Sequence, residues 1–388
     1  MANLVVLGAG MVGRAITRDL ARTHAVTAVD VSAEALARLA DDRRIHTRRA
    51  DLADPAAVRA VLDGADLVVC AVPGFMGFDT LRTVIEAGHH VVDISFFPEN
   101  ALDLDALARE RGVTALVDMG VAPGMDHLIL GHHDARMTVH AFECLVGGLP
   151  KRRVWPFEYK APFSPVDVIE EYTRPARYVE HGQVVVRPAL SDPELVTFDE
   201  VGTLEAFNTD GLRSLLFTMR HIPHMKEKTL RYPGHIRLIE ALRTAGFFDE
   251  TPLRVGEATV TPRDVTSRIL FDAWRLGDEE DEFTVMRVTV RGEEDGRPVT
   301  HVYHLYDERD PVTGLSSMAR TTGFTATAAV HLLLEGRFTE RGVFPPELVG
   351  RTDGCFDFVR AYLAEREVHY RHEVHRPGAQ GVTHRGRA

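Results

Sequence analysis

The stretch Leu4-Val-Val-Leu-Gly-Ala-Gly-Met-Val-Gly13 constrains this chain more than any other. It is an apolar strand-like run, a GxGxxG turn and the opening of a helix. Gly8 permits the tight turn, Gly10 lets the backbone approach a pyrophosphate, and Gly13 lets the helix pack on the sheet. The helix N-terminus then presents free N–H groups to phosphate. A glycine turn without a ligand is the plain alternative. Against it, Asp30 ends the second apolar run, 22 residues after Gly8, where a carboxylate accepts hydrogen bonds from ribose hydroxyls. A 2′-phosphate beside Asp30 would cost about 4 kcal/mol at an effective dielectric near 20. The residues after it, Val31 and Ser32, carry no positive charge. NAD is therefore preferred over NADP. Met11, Val12 and Val31 join the expected cofactor contacts. Asp51 is placed near the adenine, or else on a surface loop. Ala71-Val72-Pro73 is placed beside the nicotinamide ribose, with Pro73 equally a plain strand terminator.

Apolar runs recur at 4–7, 26–29, 67–71, 91–94 and 113–117, with a weaker one at 45–47, and helical stretches lie between them. Their lack of polar alternation predicts strands covered on both faces. The fold class is thus α/β: a Rossmann-type, doubly wound parallel sheet at 1–125, followed by a second domain. That domain is read as α+β at 126–318, with a mostly antiparallel sheet. It holds a strand at 139–146 ending in Gly147-Gly148, a proline-studded loop with Pro150, Pro156, Pro162 and Pro165, and a hairpin of 283–291 against 299–306. A helix at 321–334 is expected to return to the first domain within 319–350. Residues 351–388 form a C-terminal segment whose Gly/Arg-rich end is expected to fray.

Composition narrows the function. The chain has 388 residues and a net charge of −12, so a nucleic-acid partner is not expected. No apolar run is long enough for a membrane span. Three well-separated cysteines, Cys70, Cys144 and Cys355, suit a reducing compartment. The N-terminus lacks the pattern of a secretory signal, and a cytoplasmic location is expected.

Beyond residue 118 the sequence becomes more specific. Asp118-Met-Gly-Val-Ala-Pro-Gly-Met-Asp-His127, Gly147-Gly-Leu-Pro150, Glu158-Tyr-Lys160 with Ser164-Pro165, Leu204-Glu-Ala-Phe207, Thr229-Leu-Arg-Tyr-Pro-Gly-His235 and Met318-Ala-Arg-Thr-Thr322 follow one another in order. Together they resemble the saccharopine dehydrogenase family over almost the whole chain to about residue 350. Met318–Thr322 and Arg341–Glu347 look like lysine 6-dehydrogenase, whereas Asp126-His127 and Lys160 look like the saccharopine reductases. The resemblance implies C–N redox chemistry on a small amino-acid substrate. The leading expectation is NAD-dependent oxidation of L-lysine at its ε-carbon. A saccharopine reductase-like enzyme is the alternative within the family, and an NAD(H)-binding regulatory protein without turnover is the alternative of another class. A homodimer is expected, partly from the resemblance and partly from the Val and Tyr side chains on the outer face of the 283–306 hairpin.

Amine oxidation by hydride transfer needs a neutral nitrogen, so a base must deprotonate an ammonium whose ordinary pKa is about 10.4. Asp126 and Lys160 are the acid/base candidates, with His127 as a proton shuttle. A helix-terminal acid, a surface lysine and a core histidine are the plain alternatives. Arg231 and Arg320 are candidates for a substrate carboxylate because arginine offers a bidentate fork. Interdomain salt bridges fit them equally. Thr322 is either a helix-start residue or a hydroxyl aimed at a ligand. No metal site is expected: His301 and His304 face opposite sides of a strand, and His369, His372 and His375 lack a completing Cys or acid.

Overall fold

The computed structural model describes residues 1–162, 165–277 and 279–376. Ser164, Asp278 and the Gly/Arg-rich end from 377 therefore lie outside the described residues. Seven parallel strands form the first sheet. Asn3–Leu7 pairs with Ala25–Asp30 on one side and Leu67–Cys70 on the other. Ile45–Arg49 extends the first side. Val91–Asp93, Thr114–Leu116 and Gly342–Phe344 extend the second. The order reverses direction at Asn3–Leu7, which opens a crevice at the carboxyl ends of the strands. Buried Val and Leu side chains cover both faces.

The second sheet has nine strands. Its long strand Thr138–Pro150 pairs parallel with His224–Arg231 and antiparallel with Glu282–Glu294. The expected hairpin is present: Glu282–Glu294 and Arg297–Glu308 meet at Asp295-Gly296, both with positive φ, as a two-residue primed turn requires. Two expectations change here. The strand from 139 does not stop at Gly147-Gly148 but runs through both to Pro150. A Cβ on Gly147 would lie 2.6 Å from the Leu230 carbonyl oxygen, and one on Gly148 would lie 2.7 Å from Met318 and Pro162. These glycines thus permit close packing rather than ending the strand. The outer face proposed for the hairpin is only partly covered, with Val302 and Tyr306 left half-buried. Phe283 and Val285 pack in one core, while Met286, Val288 and Val290 pack in another. Tyr370–His375 pairs with the free edge of Arg297–Glu308.

The proline-studded segment ends in a helix, Pro165–Thr173. The returning helix is Ser317–Leu334, capped by the Ser316 hydroxyl on the Ala319 N–H. It lies against the glycine-loop helix Met11–Leu20: a Cβ on Gly323 would sit 3.3 Å from Ala15 Cβ. Among the described residues no helix is long and apolar enough to cross a membrane.

Candidate active site

A cleft of about 390 Å³ lies between the two sheets. One wall is the carboxyl edge of the parallel sheet: Gly8, Gly10, Met11, Val12, Gly13, Asp30, Ala71, Val72 and Pro73. Gly8 has φ +105°, and a Cβ there would stand 2.3 Å from the Ala71 carbonyl oxygen. A Cβ on Gly13 would stand 2.1 Å from the Gly8 carbonyl oxygen, while one on Gly10 would meet nothing within 4 Å. Two glycines are thus demanded by the protein's own packing, and the third leaves open room where a pyrophosphate approaches. The Asp30 carboxylate accepts from the Ala9 N–H (2.7 Å) and the Ser32 N–H (2.8 Å), which fixes it at the cleft edge. The residues present fit a dinucleotide.

Two residues expected at the cofactor do not line the cleft. Val31 is 55 % exposed and does not line the cleft, because its side chain points to the face of the strand end opposite to that of Asp30. Asp51 is also outside the cleft, exposed, and accepts the Ala53 N–H in a local turn. One neighbour was hidden by linear reading. Arg49 lies in register with Asp30 on the adjacent strand, and its Nε donates to the Val31 carbonyl at 2.9 Å. A positive charge therefore stands beside Asp30 across the sheet, although none follows it in sequence.

The opposite wall comes from the second sheet and its helix. Val146, Gly147, Gly148, Glu227, Thr229 and Arg231 line it, with Thr209, Asp210 and Gly211 from a loop and Asp167, Glu170, Glu171 and Arg174 from Pro165–Thr173 and the residue after it. Thr322 and Met318 enter from the returning helix, so Thr322 reaches the cleft as anticipated. Arg320 does not. It bonds both Asp307 oxygens at 3.2 Å and the Arg366 carbonyl at 3.1 Å. Two residues along a helix rotate by about 200°, so Arg320 and Thr322 face opposite ways. Arg320 ties the returning helix to the second sheet.

Arg231 lines the cleft and is only 2 % exposed. Its guanidinium donates to Glu171 (2.6 Å), to the Tyr172 hydroxyl (2.9 Å) and to the Leu230 carbonyl (2.9 Å), and it lies 4.3 Å over the Tyr159 ring. Asp118, also on the cleft, is held by Arg213 at 2.9 Å.

The acid/base expectations need correction. Lys160 does not line the cleft: its ammonium donates to the Arg275 carbonyl at 3.1 Å and lies 3.9 Å from Glu280. Asp126 and His127 are wholly buried beneath the cleft rather than on it. The reason is local. Gly124, with φ +147°, closes the turn tightly on Gly120. The helix Met125–Asp134 then starts under that loop, and Asp126 folds back to accept the Gly124 N–H at 2.9 Å.

Glu227, which the sequence reading missed, connects this buried group to the cleft. Ligand atoms of Glu227, Asp126 and Cys144 lie within 4.8 Å of one another. Burial, then the nearby Asp126 charge, hold the Glu227 carboxyl well above the usual carboxylate range. Burial also raises Asp126. Two desolvated carboxylates this close cannot both ionise readily. Behind them, the His127 ring lies 3.6 Å from both Asp126 and Glu347. Burial pushes His127 down, but the Asp126 and Glu347 carboxylates outweigh it and lift its pKa to about 9. Glu347 in turn accepts from Thr218 (2.6 Å) and Ser214 (3.1 Å). The arrangement is a cleft carboxyl backed by a buried ion pair, able to hold or release one proton at the cleft wall.

This pair predicts a stability profile. His127 has a folded pKa near 9 against an ordinary 6.5. Its contribution is therefore fully present below about pH 6.5 and lost as pH rises through 9, on the order of 3 kcal/mol. Glu282, raised by burial to about 7, acts in the same direction but in a lower window. Urea midpoints measured from pH 6 to 9.5 should fall in the native chain and flatten above pH 7 in His127→Gln. Parallel curves would show that His127 does not titrate in that window.

A glycine-cradled dinucleotide crevice facing a cleft wall that holds a proton defines a two-domain dehydrogenase. The comparisons agree. Residues 4–116 match the model for the saccharopine dehydrogenase NADP binding domain, and residues 120–368 match that for the saccharopine dehydrogenase C-terminal domain. The chain belongs to the saccharopine dehydrogenase family and is an oxidoreductase of that family. It is 24 % identical over 376 residues to a saccharopine dehydrogenase [NADP(+), L-glutamate-forming] of Pyricularia oryzae, covering 76 % of this chain and 82 % of that one. It is 27 % identical over 216 residues to an alpha-aminoadipic semialdehyde synthase of Arabidopsis thaliana, covering 52 % of this chain but only 20 % of that longer one. Its fold matches apo saccharopine dehydrogenase (L-Glu forming) from Saccharomyces cerevisiae with TM-score 0.77 at 20 % identity, over 96 % of this chain and all of the other.

Proposed function

We propose that this chain is an NAD-dependent dehydrogenase acting on the C–N bond of a lysine-like amino acid, of the lysine 6-dehydrogenase type. The observation that carries the substrate reading is the charge of the cleft. Its substrate half presents Asp118, Asp167, Glu170, Glu171, Asp210 and Glu227, against Arg174 and Arg231. Each arginine faces a carboxylate, Arg174 with Glu170 at 3.2 Å and Arg231 with Glu171 at 2.6 Å, and Asp118 and Asp210 are held by Arg213 (2.9 Å) and Arg177 (2.7 Å), so the six acids still outnumber the four arginines by two. Such a site favours a ligand with two amino groups and one carboxylate over one with three carboxylates. The bound dinucleotide would supply the hydride acceptor. Glu227 would take the proton from the substrate ammonium, and Asp126 and His127 would set the proton affinity of Glu227 from behind. Thr229 and Thr322 border the same space and offer hydroxyls to orient the amine.

The names of the relatives support the second reading, an enzyme that forms or cleaves a secondary amine between an amino acid and an aldehyde. A paired assay separates the two. NADH formation from L-lysine supports the first, and NADPH consumption with glutamate plus the semialdehyde supports the second. Tight cofactor binding without turnover in either would favour a regulatory protein.

Two further expectations belong with this reading. The preference for NAD rests on Asp30. Asp30→Asn keeps an acceptor for the ribose but removes the charge, so the NAD/NADP affinity ratio should fall roughly tenfold or more. An unchanged ratio by fluorescence titration would move the discrimination elsewhere, with Arg49 the first residue to test. The hairpin argument for the expected homodimer weakens, since Phe283 and Val285 on that face are buried and Val302 and Tyr306 are half-buried. Exposed Leu253, Val255, Val265 and Ile269 now support it instead. A monomer mass by light scattering would overturn it.

A further inference from the structure

We propose that His133, His301 and His372 form a binding site for a borderline divalent cation such as Zn²⁺, outside the cleft and not used by the redox chemistry. One nitrogen from each of the three rings lies within 4.8 Å of the others. The three residues come from different elements: His133 from the end of the helix Met125–Asp134, His301 from the strand Arg297–Glu308, and His372 from the terminal strand Tyr370–His375. No spacing motif in the sequence could announce such a site, because only the sheet register brings the rings together. Tyr303 pairs with His372 across the strands, which sets His372 diagonal to His301 on the buried face.

The donor chemistry fits a cation that imidazole binds well. His301 Nδ1 lies 3.0 Å from His372 Nε2, and His301 Nε2 lies 2.9 Å from Glu294 Oε1. A carboxylate on Nε2 places the ring proton there and leaves the Nδ1 lone pair facing the cluster. This is the outer-shell arrangement that orients metal-bound histidines. With metal–nitrogen bonds of about 2.1 Å, tetrahedral sites place their nitrogens roughly 3.4 Å apart. The His301–His372 pair is already near that spacing, and a nitrogen of His133 lies within 4.8 Å of both. His133 Nε2 bonds the Tyr303 hydroxyl at 2.9 Å, which holds the ring in place beside the others. His133 and His301 are buried, while His372 is half-buried and gives the site an opening to solvent. A water completes a three-histidine set at the fourth position.

The surroundings limit affinity. Arg136 acts on His133 and Arg360 on His372, and both oppose an added positive charge, whereas Glu294 is already shared with Arg376 at 2.7 Å. Micromolar rather than nanomolar binding is expected. The cation would fasten the terminal strand to the helix Met125–Asp134, so its effect is on stability.

The experiment uses the full chain without a histidine tag, stripped with chelator. Co²⁺ should bind one equivalent with visible d–d absorption of tetrahedral intensity, Zn²⁺ should displace it, and Zn²⁺ should raise the melting temperature. His301→Ala and His372→Gln should each weaken binding roughly a hundredfold, and Glu294→Gln roughly tenfold. His369→Ala, on the exposed surface just before the same strand, should leave it unchanged. Should His301→Ala fail to fold, His372→Gln decides, since that position is half-buried; its folding is checked by circular dichroism and by retained cofactor binding. No saturable Co²⁺ or Zn²⁺ binding at high micromolar concentration, or binding unaltered by His372→Gln, would overturn the site and leave a hydrogen-bonded ring stack.

Discussion

Glu227→Gln is expected to lower kcat by about 10²–10⁴-fold, the usual loss for one acid/base group, while leaving cofactor affinity unchanged. The glutamine keeps the shape of the protonated acid, so folding should tolerate it. Glu227 lines the cleft, is 5 % exposed, and its Oε2 has no hydrogen-bond partner among the described residues. Burial keeps its proton on to higher pH than in water, which suits a group that must exchange protons near neutrality. The cofactor wall is on the other side of the cleft, so fluorescence titration of the dinucleotide should not change. The pH–rate profile separates the roles of the two buried acids. Glu227→Gln should abolish one limb. Asp126→Asn should instead shift that limb to lower pH, because a like charge behind Glu227 has been removed. A kcat within threefold of wild type in Glu227→Gln would exclude it as the proton acceptor.

The parallel sheet was legible because both of its signals are local. Apolar runs with turn residues between them mark the strands, and Gly8, Gly10 and Gly13 mark the first crossover. Even the short strand Thr114–Leu116 falls inside a run read from sequence. The seventh strand, Gly342–Phe344, was not read, because three residues give no periodicity and its partner lies more than two hundred positions away. The site was legible only in part, and for a related reason. Residues that line the glycine-loop wall of the cleft sit at strand ends and in one turn, where sequence order follows space. Residues on the facing wall converge from separate elements. Glu227 stands in Lys226-Glu-Lys228, which reads as a solvated strand edge until the sheet covers it. Asp167, Glu170, Glu171 and Arg174 follow i, i+3, i+4, i+7 spacing and share one helix face. That pattern was present in the sequence, but the prolines before it drew the reading toward a loop. Asp126 was singled out by its motif, but only the fold reveals that its side chain turns back under Gly124.

Arg231 carries the second large expectation, on stability. Arg231→Met keeps the apolar stem over Tyr159 and removes the charge. It strands the Glu171 carboxylate, whose pKa burial already raises despite the arginine. Breaking a buried pair typically costs 3–5 kcal/mol. Glu171 retains 19 % exposure, so the lower end, about 3 kcal/mol, is expected from urea unfolding. The partner change should repair the damage: in Glu171→Gln/Arg231→Met the stranded charge is gone, and most of the loss should return. Such recovery is the mark of a coupled pair rather than of two independent sites. The double variant then isolates function from folding. Arg231 is the cleft arginine nearest to Glu227 along its strand, so it is placed to share its guanidinium between Glu171 and a substrate carboxylate. If it does, the repaired protein should still bind substrate poorly, with KM raised roughly tenfold or more and kcat little changed. A single variant within about 1 kcal/mol of wild type would show that Glu171 finds another partner or a proton at little cost. A repaired double variant with unchanged KM would assign Arg231 to the architecture of the wall alone.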